Sequence, residues 1–355
     1  MNKYELRIKA LTEQFDAAGI DGLYITGAPN VAYFTGKKGD DCALWITKTR
    51  ATILTDFRYR EFAQSFTWLN FYETNAEHKR IDLLKACPYS RIGVEKDWLP
   101  LSDYLDFQEN LGKEIIPVSG LVENLRKVKD EDEIEWTKQA EQIGCDAFNY
   151  VCGIIEPGMS EKGLALELEY YMLAHGADGI SFDTIAITGA KTSMPHGIPG
   201  NEIIKAGDFV TMDFGCTING YHSDMTRTVA VGYATDEMRK VYDIVLHAQE
   251  VCCEQIHAGM TGVSCDKIAR DIIAEAGYGE CFGHSLGHGT GLQIHEGPNF
   301  SMRYDKVIEE NTIMSIEPGI YLPGKFGVRI EDLCIVKKDG IINLCVTAPK
   351  KLIVL

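Results

Sequence analysis

The sequence predicts an α/β (α+β) protein built as two successive domains, and three features predict it. At 355 residues the chain is long for a single compact core. Its amino terminus opens with a helical apolar period that gives way to short apolar runs separated by Gly, Asn, Asp and Lys. Around Asp130 a helix-start signal opens a mostly helical stretch, and the carboxy-terminal third then returns to strand-like runs.

Taken in order, Tyr4, Ile8, Leu11, Phe15 and Ala18 share one helical face, with Gly19 where that helix would end. Residues 23–26, 43–47 and 51–55 read as strands of a small sheet, completing an amino-terminal α/β unit. Residues 122–129 are polar and charged, and Asp130-Glu131-Asp132-Glu133 has the acceptor-then-acid spacing of a capping box. Acids in a first turn also suit the helix dipole. We place the domain boundary just before this helix, with 1–124 as the smaller domain and 125–355 as the larger. Further helices are expected after Ser160, over 235–256 and over 262–276, the last closed by Gly277; strand-like runs follow at 209–214, 312–316 and 328–336. There is no internal repeat or low-complexity segment.

Composition narrows the function. Hydrophobic content of 45% with 25% charged residues is ordinary for a globular protein. A formal charge of -17 argues against a general nucleic-acid binder, which needs clustered Lys and Arg to neutralise phosphates. No window approaches eighteen uninterrupted apolar residues, so no membrane span is expected, and the charged first residues lack the apolar run of a signal peptide. Eleven cysteines without a C-x-x-C pair read as buried free thiols of a reducing cytoplasm rather than a zinc ribbon or disulfide scaffold.

The chemistry gathers around acids placed in apolar runs. Asp213 lies inside Phe209-Val210-Thr211-Met212-Asp213-Phe214-Gly215, where an unpartnered carboxylate is costly. Asn219-Gly220 follows, a strong hairpin signal. If those residues form the turn, Gly215 stands opposite Asp224, and Asp213 lies diagonally across from Asp224 on the same face, as in an acid dyad or a metal site. Thr226 shares that face and offers a hydroxyl to orient a carboxylate. The same period of two points Arg329 and Glu331 one way, and Glu317 ends another apolar run. Three of nine histidines fall within twelve glycine-rich residues, at His284, His288 and His295. Singly, each acid has an ordinary reading as a salt bridge or strand end. Together with imidazole they share a reason in a cation, and carboxylates with one imidazole suit Mn, Co, Zn or Fe. The Gly287-x-Gly289-x-Gly291 pattern precedes no helix and is no dinucleotide loop, and Gly189-Ala190-Lys191-Thr192 lacks the spacing of a phosphate loop.

In order and local context, Asp213, Asp224, His288, Glu317 and Glu331 resemble the metallopeptidases that include Xaa-Pro aminopeptidase (aminopeptidase P), prolidase and methionine aminopeptidase. Gly283-His284-Ser285-Leu286-Gly287-His288-Gly289-Thr290-Gly291 with His295-Glu296-Gly297-Pro298 is similar to the proline-peptidase signature of that family. So are Ser315-Ile316-Glu317-Pro318-Gly319-Ile320-Tyr321 and Gly327-Val328-Arg329-Ile330-Glu331-Asp332. The resemblance implies a pita-bread catalytic domain after a smaller creatinase-like α/β domain. It implies two divalent ions, Mn first with Co, Zn or Fe as alternatives: Asp213 on one, Asp224 and Glu331 bridging, His288 and Glu317 on the other. The expected chemistry is hydrolysis by a metal-activated bridging water. Glu317 would serve as proton carrier, His284 and His295 as substrate-side groups, and His196 and Arg329 as further site residues.

Within the family, the compact length and Leu54-Thr55-Asp56-Phe57-Arg58-Tyr59 are closer to aminopeptidase P, acting on peptides with proline second, than to prolidase, acting on Xaa-Pro dipeptides. A catalytically silent peptide-binding module is the reading of another class, although no metal-ligand position is lost. The resemblance also implies a homodimer. His78, His175, His222, His247 and His257 match nothing and read as surface or packing residues.

Overall fold

In a computed structural model describing residues 1–39 and 41–355, the chain parts into two compact units, Met1–Arg126 and Lys127–Leu355.

The first unit is a six-stranded mixed sheet. Its strands run in the order Asn70–Thr74, Ala51–Asp56, Ala43–Thr47, Gly22–Ile25, Arg91–Glu95, Glu114–Val118. The strand Gly22–Ile25 pairs antiparallel with Ala43–Thr47 and parallel with Arg91–Glu95. Tyr24, Trp45, Leu54, Ile92 and Phe107 fill the core on one face. The single amino-terminal helix expected from the apolar period is in fact two, Lys3–Thr12 and Phe15–Ala18. At the break the Gln14 N–H reaches only three residues back to Leu11 O, at 3.1 Å, tightening the last turn. Leu11 and Phe15 are nevertheless both fully buried, and Gly19 ends the second helix at φ 69°. Residues 121–126 form a further helix, Leu121–Arg126, where only a polar stretch was legible. The 54–59 segment ends a strand in a 3-10 turn: Asp56 Oδ1 accepts the Arg58 N–H at 2.9 Å, and Arg58 pairs with Asp56 and Asp41 at the surface.

The second unit begins with the helix Glu131–Cys152. Asp130 caps it, and the reciprocal bonds with Glu133 are both present. This helix and Glu161–Ala174 back one apolar cluster containing Phe148, Leu168, Met212 and Leu333. Asp236–Gln255 and Gly262–Glu275 back a second, containing Val245, Ala269, Met314 and Val328. Two sheets carry the site: Met225–Ala230, Phe209–Phe214 and Ile185–Thr188, and a five-stranded sheet with Gly287–Gly289 and Ile313–Ile316 near its middle. The apolar run 328–336 is two strands, Phe326–Arg329 and Asp332–Lys337. Between them the Glu331 N–H leaves the strand to bond Thr226 O at 3.0 Å.

Among the described residues no helix is long and apolar enough to cross a membrane. All eleven cysteines are free.

Candidate active site

The Asn219-Gly220 turn sets the first two acids. Both residues have positive φ, 50° and 80°, the backbone of a tight hairpin turn. Ile218 faces Tyr221 and Thr217 faces His222; further along, Phe214 faces Met225 and Asp213 faces Thr226. The Ser223 N–H donates to Cys216 O at 2.8 Å, so the register carries through and puts Asp213 and Asp224 on one face. Glycine is required at 215, because a Cβ there would lie 2.0 Å from Ser223 O.

Asp213, Asp224, His288, Glu317 and Glu331 all line one cavity of about 570 Å³, together with His196, His284, His295 and Arg329. Donor atoms of Asp224, His288 and Glu331 lie within 4.8 Å of one another. His288 Nε2 stands 3.4 Å from Asp224 Oδ2 and 3.5 Å from Glu317 Oε1. Its Nδ1 lies 3.2 Å from Gly289 O, a contact that assigns the ring proton to Nδ1 and leaves the Nε2 lone pair toward the carboxylates. Ser315 Oγ joins two of these groups, accepting the His288 N–H at 3.0 Å and donating to Glu317 Oε1 at 3.2 Å.

Crowding of acids in a buried place raises their affinity for protons. Burial, and then repulsion from Glu331, Asp213 and Glu317, hold Asp224 well above the usual carboxylate range. Glu331 is raised well above it by the same two causes, and burial pushes Glu317 up to about 8 despite the opposing pull of Arg329. Burial lowers both His288 and His284 to about 4, so these imidazoles are neutral at ordinary pH.

The structure gives His284 a tighter place than a free substrate-side group. Its Nδ1 contacts Ser285 O at 2.8 Å and its Nε2 contacts Tyr321 Oη at 2.9 Å, so both ring nitrogens are engaged. Tyr321 Oη accepts in turn from Arg329 Nη1 at 3.0 Å, and Arg329 Nη2 donates to Asp213 Oδ2 at 2.5 Å. A continuous polar line thus runs from His284 to Asp213. His295 is exposed, its ring centroid 4.3 Å from that of His288, and His196 is also exposed at the cavity. His222 does not line the cavity; its Nδ1 contacts Gly291 O at 2.9 Å.

Some contributors are legible in the sequence only in part, or not at all. Tyr321 lies in the Ser315–Tyr321 motif, which by itself gives it no role. Thr226 was expected to orient a carboxylate, and the one it bonds is Glu331, Oγ1 to Oε2 at 2.7 Å. Glu141, fully buried on the helix Glu131–Cys152, accepts the Asp224 backbone N–H at 3.1 Å. Its signal was its helical spacing from Thr137, Gly144 and Phe148, an acid at a position that pattern reserves for the core.

The donor set fits a cation on an observation of its own. Asp213 Oδ1, Glu331 Oε1 and the nearby Thr184 Oγ1 are buried side-chain oxygens of this cavity that have no hydrogen-bond partner. Carboxylate oxygens left this way are unfavourable unless something positive meets them. Oxygen donors with one imidazole suit divalent first-row ions.

Residues 135–338 match the model of metallopeptidase family M24, and residues 7–128 match the creatinase/prolidase N-terminal domain. A solved Xaa-Pro dipeptidase from Bacillus anthracis is 41% identical, with a TM-score of 0.96, covering 99% of this chain and 100% of that one. A solved X-Pro aminopeptidase from Thermotoga maritima MSB8 is 37% identical, with a TM-score of 0.90, covering 98% and 99%. The Xaa-Pro dipeptidase of Pyrococcus horikoshii is 34% identical over 339 residues, 94% of this chain and 95% of that protein. With these likenesses spanning nearly its whole length, the chain has a creatinase-type domain followed in sequence by the pita-bread fold and belongs to metallopeptidase family M24.

Proposed function

We propose that this protein is a divalent-metal-dependent peptidase that cleaves the bond between a first residue and a following proline, with Xaa-Pro dipeptides as its preferred substrates. The partnerless oxygens of Asp213 and Glu331, beside the close grouping of Asp224, His288 and Glu331, carry the metal half of this reading. The substrate half rests on relatives: two of the three named above are Xaa-Pro dipeptidases, one of them the 41% identical structure. That support moves the preference from the longer-peptide aminopeptidase toward the dipeptidase.

In this reading Asp213, Asp224, His288, Glu317 and Glu331 would together hold the divalent ions, Mn first among the candidates. Divalent ions in such a donor set supply Lewis acidity and make water a competent nucleophile near neutral pH. Glu317, steadied by Ser315 Oγ at 3.2 Å, takes the proton from the attacking water and passes it to the leaving proline nitrogen. His295 and His196, at the exposed side of the cavity, meet the substrate and donate to oxygen as negative charge develops there. His284, through Tyr321, keeps Arg329 aimed at Asp213.

One observation favours the second reading, activity on longer peptides. Among the described residues Arg329 is the one Lys or Arg lining the cavity, and Asp213, Tyr321, Thr226 and Pro195 already occupy its donors. A dipeptide carboxylate finds no uncommitted side-chain cation there.

The test is hydrolysis of Ala-Pro and Ala-Pro-Ala by chelated protein and by protein reloaded with Mn or Co. Dipeptide turnover at least about tenfold more efficient, a difference of about 1.4 kcal/mol in the barrier, supports the dipeptidase. Preference for the tripeptide supports the aminopeptidase. Cleavage of neither by metal-loaded protein would leave a silent binding module. A homodimer, as the family resemblance implies, is checked by light scattering, and the free cysteines support a reducing cytoplasmic setting.

A further inference from the structure

The two segments that carry Thr226 and Glu331 show one face to the cavity and the other to a buried ion pair. At the front, Thr226 Oγ1 donates to Glu331 Oε2 at 2.7 Å. The next residue on each segment points to the back, as the period of two requires. There Arg227 Nη2 meets Asp332 Oδ1 at 2.7 Å, the two side chains 1% and 0% exposed. Arg227 Nη1 donates to Thr226 O at 3.0 Å and to Glu331 O at 2.5 Å, so one guanidinium grips the backbone of both front residues. Its other donors reach Pro349 O and Ala348 O. Asp332 Oδ2 accepts from Gln249 Nε2 at 2.8 Å, Lys350 Nζ at 2.8 Å and Asn343 Nδ2 at 2.5 Å, which fixes the anion from three further segments.

A buried ion pair is weak support for stability, since apolar residues of similar volume often serve as well. What it does supply is direction, because the planar fork of arginine sets the angle as well as the distance of what it holds. Glu331 lies outside the two strands flanking it, bridged to Thr226 alone, so its carboxylate needs such an external hold.

We propose that Arg227 and Asp332 are a positioning pair for the cavity: by holding the Thr226 and Glu331 carbonyls they fix the Glu331 carboxylate and thereby set the affinity for divalent cation. The proposal rests on reading the cavity as a cation site. Neither residue touches substrate; both act through Glu331.

The test is Mn(II) titration calorimetry on chelated full-length protein, with circular dichroism as the measure of fold. Asp332→Asn keeps the shape and removes the charge, and Arg227→Lys keeps the charge and removes the fork. Each is expected to weaken Mn(II) binding about 10- to 100-fold, the range for partners that orient metal-holding groups. Val151→Ala, in the apolar cluster behind the long helix, is the control: it lowers the melting temperature and leaves Mn(II) affinity unchanged. Should the two buried variants not fold, Lys350→Met removes one partly exposed donor to Asp332 and is expected to cost several-fold in affinity. Wild-type affinity in the folded variants, or an equal loss in Val151→Ala, overturns the positioning role. A wild-type protein that takes up no Mn(II) overturns the cation site itself, and the positioning role falls with it.

Discussion

Replacing Glu317 with Gln should make the chelated protein more stable in alkali while abolishing peptide hydrolysis by the metal-loaded protein. The folded carboxyl titrates near 8 because it is buried; the pull of Arg329, larger than the repulsion from Asp213, offsets only part of that burial. In the unfolded chain it titrates near its ordinary 4.5. Between these values folding takes up a proton, so stability falls as pH rises from the lower value and levels off above the higher. A carboxyl shifted that far disfavours its folded anion by at most about 5 kcal/mol. Glutamine keeps the oxygen that accepts from Ser315 and does not titrate. Urea unfolding at pH 5.5 and pH 9 should therefore show the variant gaining about 2–3 kcal/mol on the wild type between the two. Added Mn should narrow the gap, because the wild type gains about 2.7 kcal/mol at a hundredfold excess over Kd while the variant gains less. Parallel pH profiles for the two proteins would refute the claim that Glu317 carries a burdened charge in this cavity.

Four further outcomes are expected. Asp213→Asn and Glu331→Gln should reduce peptide turnover to background with an unchanged far-ultraviolet dichroism spectrum; wild-type turnover in either contradicts the shared-cation site. Gly215→Ala forces a methyl group to within 2.0 Å of Ser223 O and should cost about 3 kcal/mol or more, read as a lowered melting temperature. Tyr321→Phe removes the hydroxyl between His284 and Arg329 and should lower kcat about tenfold with little change in KM, because it disturbs groups that orient Asp213 rather than substrate. Asp130→Ala removes a two-sided helix cap and should cost about 1 kcal/mol in chemical unfolding, with activity retained in the folded protein.

What could be read in advance was whatever depends on local period and turn chemistry. The Asn219-Gly220 turn fixes a register in steps of two, so the shared face of Asp213 and Asp224 followed from counting. The Asp130 capping box likewise needs only four consecutive residues. Glu141, Arg227 and Asp332 were invisible for the opposite reason: the bonds that tie them to the site span 83 to 105 positions, which no local pattern encodes. The break between Phe326–Arg329 and Asp332–Lys337 was missed because its cause is the Glu331 N–H bonding to Thr226, on a different sheet. The 54–59 segment suggested a substrate preference and proved to be a capped turn with exposed ion pairs. Substrate length depends on what covers the carboxylate end of a peptide, which neither motif nor register determines.

The hairpin between Asp213 and Asp224 also limits how the gene can change. Because side chains alternate along its strands, deleting or inserting one codon between Asp213 and the turn, or between the turn and Asp224, would send that aspartate to the opposite face. Codons gained or lost in pairs would preserve both faces. Length variation in these two strand segments across descendants of the gene should therefore come in even steps, an imprint of the site that can be sought in genomes without any assay.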